Sequence, residues 1–84
     1  MKKDVVVGLR DGLDVGKIAL LVQNACRFES TVYLESEGKK VNAKSIMGMM
    51  NMVVAKGKTV SVIAEGADEE EAIAAMEETL LGQE

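Results

Sequence analysis

The hydrophobic residues of this 84-residue chain follow two periods, one typical of strands and one typical of helices. β-Branched runs and apolar–polar alternation, which suit a half-buried pleated surface, predict four short strands. These strands are expected at residues 4–10, 31–36, 40–43 and 59–65. The sequence Glu-Gly-Lys-Lys at 37–40 is typical of a hairpin turn, so the second and third strands are expected to pair as neighbours.

Apolar residues at spacings of three and four predict helices between and after these strands. The first helix is expected over residues 16–28, with Cys26 as an inert packed side chain, and a short second helix is expected after Ser45. In the third helix, Asp68 and Glu71 form a predicted capping box, and Gly82 is expected to end the helix. The stripes predicted to face the core are Ile18, Leu21, Val22, Ala25 and Phe28 in the first helix, and Ile73, Met76 and Leu80 in the third.

The predicted element order is βαββαβα, within a single domain that covers residues 1–84. The sequence contains no proline, linker or internal repeat that would mark a domain boundary. Four short strands and three helices are most simply arranged as an α+β fold, in which the helices cover one face of a four-stranded, mostly antiparallel sheet. The other face of the sheet is expected to meet solvent.

Charge and composition exclude several classes of function. A net charge of −4 argues against nonspecific nucleic-acid binding and against a polybasic membrane anchor, and it favours a protein partner. The chain has no histidine, which excludes histidine phosphotransfer, histidine general-base catalysis and histidine metal ligation. Cys26 is the only cysteine, so an intrachain disulfide and a cysteine-based zinc site are excluded.

The sequence predicts a cytoplasmic protein that is not an enzyme. Charged residues interrupt the first twenty positions, so no early run is long enough for a membrane span or a secretion signal. No nucleophile–base pair, carboxylate pair or glycine-rich phosphate loop is evident, and no metal or cofactor is expected. A binding module is therefore favoured over a catalyst.

Ser45 is the most informative candidate residue. Serine is a preferred N-cap, and a phosphate on it would face unpaired backbone N–H groups at the helix start. The following Ile46, Met47 and Met50 lie at spacings of three and four, as either core residues or an exposed docking patch. Periodicity in so short a helix leaves both alternatives open. For Ser45 taken alone, an unmodified cap is favoured over a regulated site.

From about residue 4 to residue 81 the chain resembles the HPr family, the small phosphocarriers of the phosphoenolpyruvate-dependent sugar phosphotransferase system. The matching stretches are GL at 12–13, LLVQNACRF at 20–28, GKKVNAKSIMG at 38–48, AKG at 55–57 and GADEEEA at 66–72. SIMG is the most specific of them. The resemblance implies an HPr-like open-faced β-sandwich, which agrees with the fold expected from the hydrophobic pattern.

The chain departs from the family at its phosphohistidine signature, Gly-Ile/Leu-His-Ala-Arg-Pro-Ala. These positions read GLDVGKI here, so that Asp14 replaces the histidine, Gly16 the arginine and Lys17 the proline. The resemblance is therefore to the Crh-type members, which lack the histidine and keep a regulatory serine, and it implies that the chain does not carry histidine phosphate. Asp14 is expected to be an N-cap, with an acyl-phosphate acceptor as the alternative.

The Crh-type resemblance implies a regulatory role for Ser45. The serine would be phosphorylated by the bifunctional HPr kinase/phosphorylase, and the phosphorylated form would be a corepressor of a CcpA-like, LacI-family transcription regulator. Ile46, Met47 and Met50 match the family's exposed docking patch, while Met49 and Met52 match inward-facing positions.

Three further expectations concern partners. Lys17 is expected to substitute for the arginine missing at Gly16, and Lys44 and Lys40 are candidates to hold the phosphate. Exchange of the first strand between protomers would give a homodimer. The alternative function is an unmodified docking module that binds or titrates phosphotransferase-system partners.

Overall fold

The computed structural model describes residues 1–52 and 54–82 of the chain. Its strands are β1 Lys2–Val6, β2 Thr31–Ser36, β3 Lys39–Asn42 and β4 Thr59–Glu65. Its helices are α1 Val15–Ala25, α2 Ile46–Met49 and α3 Glu69–Leu81. The predicted βαββαβα order and the α+β class are confirmed.

All four strands form one antiparallel sheet with the order β1-β4-β2-β3. Leu34 lies between Val62 on β4 and Val41 on β3, so apolar side chains meet across neighbouring strands. The predicted hairpin joins β2 to β3 through Glu37 and Gly38, which both have positive φ angles of 51° and 79°. Two consecutive residues with positive φ are characteristic of a two-residue hairpin turn whose twist matches that of the flanking strands.

The core lies between one face of the sheet and the helices. The apolar residues that alternate with polar ones on β2 and β4 are fully buried; they are Val32, Leu34, Val60, Val62 and Ala64. The predicted helical stripes are also buried, apart from Phe28, which is half-buried and packs against the core. The opposite face carries half-buried Tyr33 and Ile63 among polar neighbours. The expectation of one covered face and one solvent-facing face is therefore confirmed.

The first strand and the first helix are shorter than the sequence predicted. The β1 strand ends at Val6 rather than at residue 10, because the chain turns there toward the end of α3, where the Gly8 N–H donates to the Leu80 carbonyl at 2.9 Å. A side chain at Gly8 would lie 2.7 Å from the Leu81 carbonyl oxygen, so this crossing requires glycine. The α1 helix ends at Ala25, three residues before its predicted end.

The interpretation of Cys26 as a packed residue was wrong. Cys26 is exposed, because it follows the buried Ala25 by one position and therefore points about 100° away from the core-facing stripe. Its sulfur lies 3.9 Å from the backbone carbonyl oxygen of Lys44.

Asp68 is the N-cap residue of α3, as predicted, but the predicted capping box with Glu71 was wrong. The Asp68 side chain makes no bond to its own helix; its carboxylate accepts from the Ser30 hydroxyl and from the backbone N–H groups of Glu29 and Ser30, both at 2.9 Å. These bonds, led by that of the Ser30 hydroxyl, lower the pKa of Asp68 to about 2. Glu69, not Glu71, reaches back to accept from the Gly66 N–H at 3.2 Å. Asp68 thus ties the loop before β2 to the start of α3.

The end of α3 matches its prediction. Gly82 adopts a left-handed conformation with φ of 80°, and its N–H donates to carbonyls of the last helical turn. None of the described helices is long and apolar enough to cross a membrane.

Candidate functional site

A tight turn after β3 places Ser45. The Asn42 side-chain oxygen accepts from the Lys44 N–H at 2.8 Å, and the Asn42 carbonyl accepts from the Ser45 N–H at 3.1 Å. Asparagine commonly forms such turns by bonding to the backbone two residues on. Because Ala43 is buried and donates to the Val32 carbonyl, the turn is fixed to the sheet.

Ser45 is the N-cap of α2, as predicted. Its backbone is extended, its carbonyl accepts from the Met49 N–H at 2.9 Å, and its hydroxyl oxygen accepts from the Gly48 N–H at 3.2 Å. The last distance is at the long end of the usual range for such a bond. Ser45 as a whole residue is half-exposed.

The orientation of α2 decides between the two alternatives for the apolar cluster. Ile46, Met47 and Met50 are all exposed, and Met47 is the most exposed of them at 83%. Met49 and Met52 are buried, so they fix the segment to the core. The structure therefore gives a three-residue exposed patch, which we call the α2 patch; its binding of a partner stays a prediction.

Asp14 is the N-cap of α1, which confirms the geometry expected for it. One carboxylate oxygen accepts from the Lys17 N–H at 2.9 Å, and the Asp14 carbonyl accepts from the Ile18 N–H at 2.8 Å. The preceding Gly12 has φ of 69°, and a side chain there would lie 2.5 Å from the Val54 carbonyl oxygen. The entry to α1 is therefore sterically fixed.

A shallow, mostly apolar groove of about 580 Å³ joins α1 to the α2 patch. It is lined by Gly16, Ala19, Leu20, Val22, Gln23 and Ile46. A Cβ atom at Gly16 would have its nearest contact with Asp14 at 3.5 Å, so the backbone leaves room for a larger side chain. Gly16 and the α2 patch thus belong to one surface.

Sequence reasoning missed the contribution of the middle of α1 to this surface. Leu20 and Gln23 lie off the buried stripe, and the groove brings them to Ile46. The signal was present in Leu20, an apolar residue outside the predicted inward face. The exposed Val15, at 63%, is a second apolar residue of this kind.

The two lysines proposed to hold a phosphate have other contacts. The Lys44 ammonium donates to the Phe28 carbonyl at 2.8 Å, and the Lys40 ammonium lies 4.8 Å from the centre of the Tyr33 ring. The structure of the unphosphorylated protein therefore gives no support to the expectation that these lysines hold a phosphate on Ser45. Lys17 is half-buried on the first turn of α1, and its substitution for an arginine stays a prediction.

A metal site was not expected. Among residues 1–52 and 54–82, no group of three or more cysteine, aspartate or glutamate side chains is arranged to hold a metal ion.

Comparison with known proteins identifies the family. Residues 1–81 match the family described as PTS HPr component phosphorylation site. The HPr-like protein Crh of Halalkalibacterium halodurans is 49% identical over 76 residues, which are 90% of each chain. The HPr-like protein Crh of Bacillus subtilis is 52% identical over 73 residues, which are 87% of this chain and 86% of that protein.

Solved structures share the fold. HPr of Bacillus anthracis is similar with a TM-score of 0.91 and 41% identity over 95% of each chain. The crystal structure of Bacillus subtilis Crh, described as a dimer with a swapped domain, has a TM-score of 0.78 and 48% identity over 94% of this chain and 91% of that one. The Crh homologues of this chain are about 50% identical to it over most of its length. The chain therefore belongs to the PTS-HPr family, a non-catalytic phosphocarrier family.

Proposed function

We propose that this chain is a regulatory phosphoprotein that receives one phosphate on Ser45 from an HPr kinase/phosphorylase and ATP, and that catalyses no reaction itself. One observation carries the proposal. Ser45 is half-exposed, caps α2 through its hydroxyl oxygen, and directly precedes the exposed α2 patch. A kinase can reach this hydroxyl, and a partner can contact the phosphate and the apolar side chains together.

Phosphate would act by adding charge at a preformed surface. A phosphoserine carries about −1.5 to −2 charges and three acceptor oxygens, which an arginine-bearing partner binds with charge-assisted hydrogen bonds. The fold need not change, because the buried Met49 and the Asn42 turn hold α2 independently of the Ser45 hydroxyl. Recognition would then require both the phosphate and the α2 patch.

The proposed partner is a CcpA-like regulator of the LacI family, for which the phosphorylated chain acts as a corepressor in the cytoplasm. Support comes from the Bacillus subtilis relative, which is described as the catabolite repression HPr. This chain has Gly16 where the family signature has an arginine. The ammonium of the neighbouring Lys17 offers only a point charge, whereas an arginine would offer a planar fork of donors. We therefore expect weaker binding than an arginine at position 16 would give.

Transfer of phosphate through a histidine is not part of the proposal. The chain has no histidine, and the Asp14 carboxylate is bonded to the Lys17 N–H at the start of α1. An acyl phosphate on Asp14 would convert this capping carboxylate into a mixed anhydride. We expect no phosphate from enzyme I and phosphoenolpyruvate.

An unmodified docking module is the second candidate. The exposure of the α2 patch does not depend on a phosphate, and this observation favours binding to phosphotransferase-system partners without modification. Such a module would compete for those partners rather than respond to a kinase.

A homodimer is also proposed. The β1 strand lies at an edge of the sheet and pairs only with β4 among the described strands. Exchange of such an edge strand between two copies would preserve every pairing, in keeping with the swapped dimer described for Bacillus subtilis Crh.

The test is the intact mass of the protein after incubation with an HPr kinase/phosphorylase and ATP. We expect one added phosphate in the native protein and none in Ser45→Ala. A parallel incubation with enzyme I and phosphoenolpyruvate is expected to leave the mass unchanged.

Two results would decide against this function. An unmodified mass after incubation with the kinase would leave the docking module as the better account, provided that an HPr control protein is phosphorylated in the same reaction. Phosphate added by enzyme I and lost in Asp14→Asn would show that the chain is instead a phosphocarrier.

A further inference from the structure

The methionines of this chain fall into two environments within a few residues. Four of the six lie between positions 47 and 52. Met47 is 83% exposed and Met50 is 48% exposed, while Met49 and Met52 are buried. The same side-chain type is thus presented to solvent at one position and enclosed by the core two residues later.

Exposed thioethers are open to a specific reaction. A peroxide transfers one oxygen atom to the methionine sulfur: a sulfur–oxygen bond forms, the peroxide O–O bond breaks, and hydrogen peroxide leaves as water. The sulfur is oxidised by two electrons and the peroxide is reduced by two. The product, methionine sulfoxide, is polar where the thioether was apolar, and sulfoxide reductases restore the original side chain.

We propose that Met47 is an oxidation-sensitive modification site. Sulfoxide formation there by peroxide makes the α2 patch less apolar and weakens docking on it. The site lies two residues after Ser45 and, along the helix, between Ile46 and Met50. A sulfoxide there places a strong hydrogen-bond acceptor in the middle of the apolar patch, and burial of this acceptor against apolar side chains of a partner costs free energy. The effect on kinase and partner docking rests on the proposed function; the selective oxidation does not.

The burial pattern makes this a local switch rather than general damage. Met49, Met52 and Met76 are at most 3% exposed, so peroxide reaches their sulfur atoms only when the surrounding structure opens. Oxidation of Met47 leaves these anchoring side chains unchanged. The modified protein therefore keeps its fold, and the change is confined to the surface.

The experiment treats the folded protein with hydrogen peroxide in a Cys26→Ser background, because Cys26 is an exposed thiol that would also react. Peptide mass mapping at several times gives the oxidation rate of each methionine. We expect Met47 to react first, and Met50 and Met1 to react more slowly. The three buried methionines are expected to react at about one tenth of the rate of Met47 or at a still lower rate.

The second arm measures the surface itself. Oxidised protein is expected to elute earlier from a phenyl column than untreated protein, with unchanged circular dichroism, and Met47→Leu is expected to lose most of this shift. With the kinase and ATP, oxidation is expected to slow phosphate uptake several-fold in Cys26→Ser and much less in Cys26→Ser with Met47→Leu, each compared with its own untreated form. Sulfoxide reductase is expected to restore both properties.

Similar oxidation rates for Met47 and Met49 would overturn the proposal, as would an unchanged elution after Met47 is fully oxidised. Equal rates of phosphorylation of the oxidised and untreated Cys26→Ser protein would also overturn it. If untreated protein takes up no phosphate, the proposed function fails by itself, and the mapping and elution measurements still decide the oxidation proposal.

Discussion

Replacement of Asp14 tests whether this carboxylate is a structural cap. The bond from the Lys17 N–H to the Asp14 carboxylate, at 2.9 Å, satisfies one of the otherwise unpaired donors in the first turn of α1. Loss of an N-cap side chain typically lowers the free energy of unfolding by about 1 kcal/mol. In a domain of this size, that loss corresponds to a fall in melting temperature of about 4–8 °C. We therefore expect this fall for Asp14→Ala.

Two matched variants isolate the capping bond in thermal unfolding followed by circular dichroism. Asp14→Asn keeps a side-chain oxygen acceptor and is expected to retain most of the melting temperature. Lys17→Pro removes the N–H donor, so Asp14→Ala is expected to have little further effect in that background.

The reasoning is refuted if Asp14→Ala unfolds within about 1 °C of the native protein, because the bond would then contribute little. It is equally refuted if Asp14→Asn is as unstable as Asp14→Ala. Fully additive effects of Asp14→Ala and Lys17→Pro would show that the two residues do not act through one bond.

Three further predictions concern stability. Met49→Ala, at a buried position, is expected to lower the free energy of unfolding in urea by about 2–5 kcal/mol, whereas Met47→Ala is expected to change it by less than about 0.5 kcal/mol. Because the pKa of Asp68 is lowered to about 2 in the folded protein, its contribution to stability is present above about pH 4 and lost as the pH falls toward 2; Asp68→Asn should be less stable at pH 6 and should show a shallower acid unfolding curve. Gly12→Ala, whose side chain would meet backbone, is expected to cost about 1–3 kcal/mol, and more than Gly38→Ala, which has a similar φ and nothing within 4 Å, in parallel thermal unfolding.

The sequence predicted those parts of the fold that depend on local periodicity. Val60, Val62 and Ala64 alternate with polar residues, and this period places them on one face whatever the rest of the chain does. The left-handed end of α3 at Gly82 was equally local, because glycine adopts positive φ at no steric cost.

Two of the errors involved contacts between residues far apart in the sequence. Asp68 looked like a helix cap, and its carboxylate instead binds Glu29 and Ser30, which lie 39 and 38 residues away. The end of β1 is likewise set by the approach of Gly8 to α3. No local sequence pattern predicts contacts between residues so far apart in the chain.

For the site, residue spacing identified the residues but left their orientation open. The family resemblance implied that Met47 is exposed and that Met49 faces inward, and the structure confirms both. A four-residue helix shows no complete period, so periodicity alone could not distinguish the exposed Met47 from the buried Met49. The groove at Gly16 was missed because it depends on how α1 lies against α2, which no pattern within one helix predicts.

The most direct test of the central claim is the modification state of the protein in its own cells. Trypsin releases residues 45–56 as one peptide, because lysines lie at positions 44 and 56. Fragmentation of this peptide from cells given a rapidly used sugar is expected to locate one phosphate on Ser45. A peptide that stays unphosphorylated under every carbon source, in cells whose kinase phosphorylates another HPr protein, would contradict the proposed function.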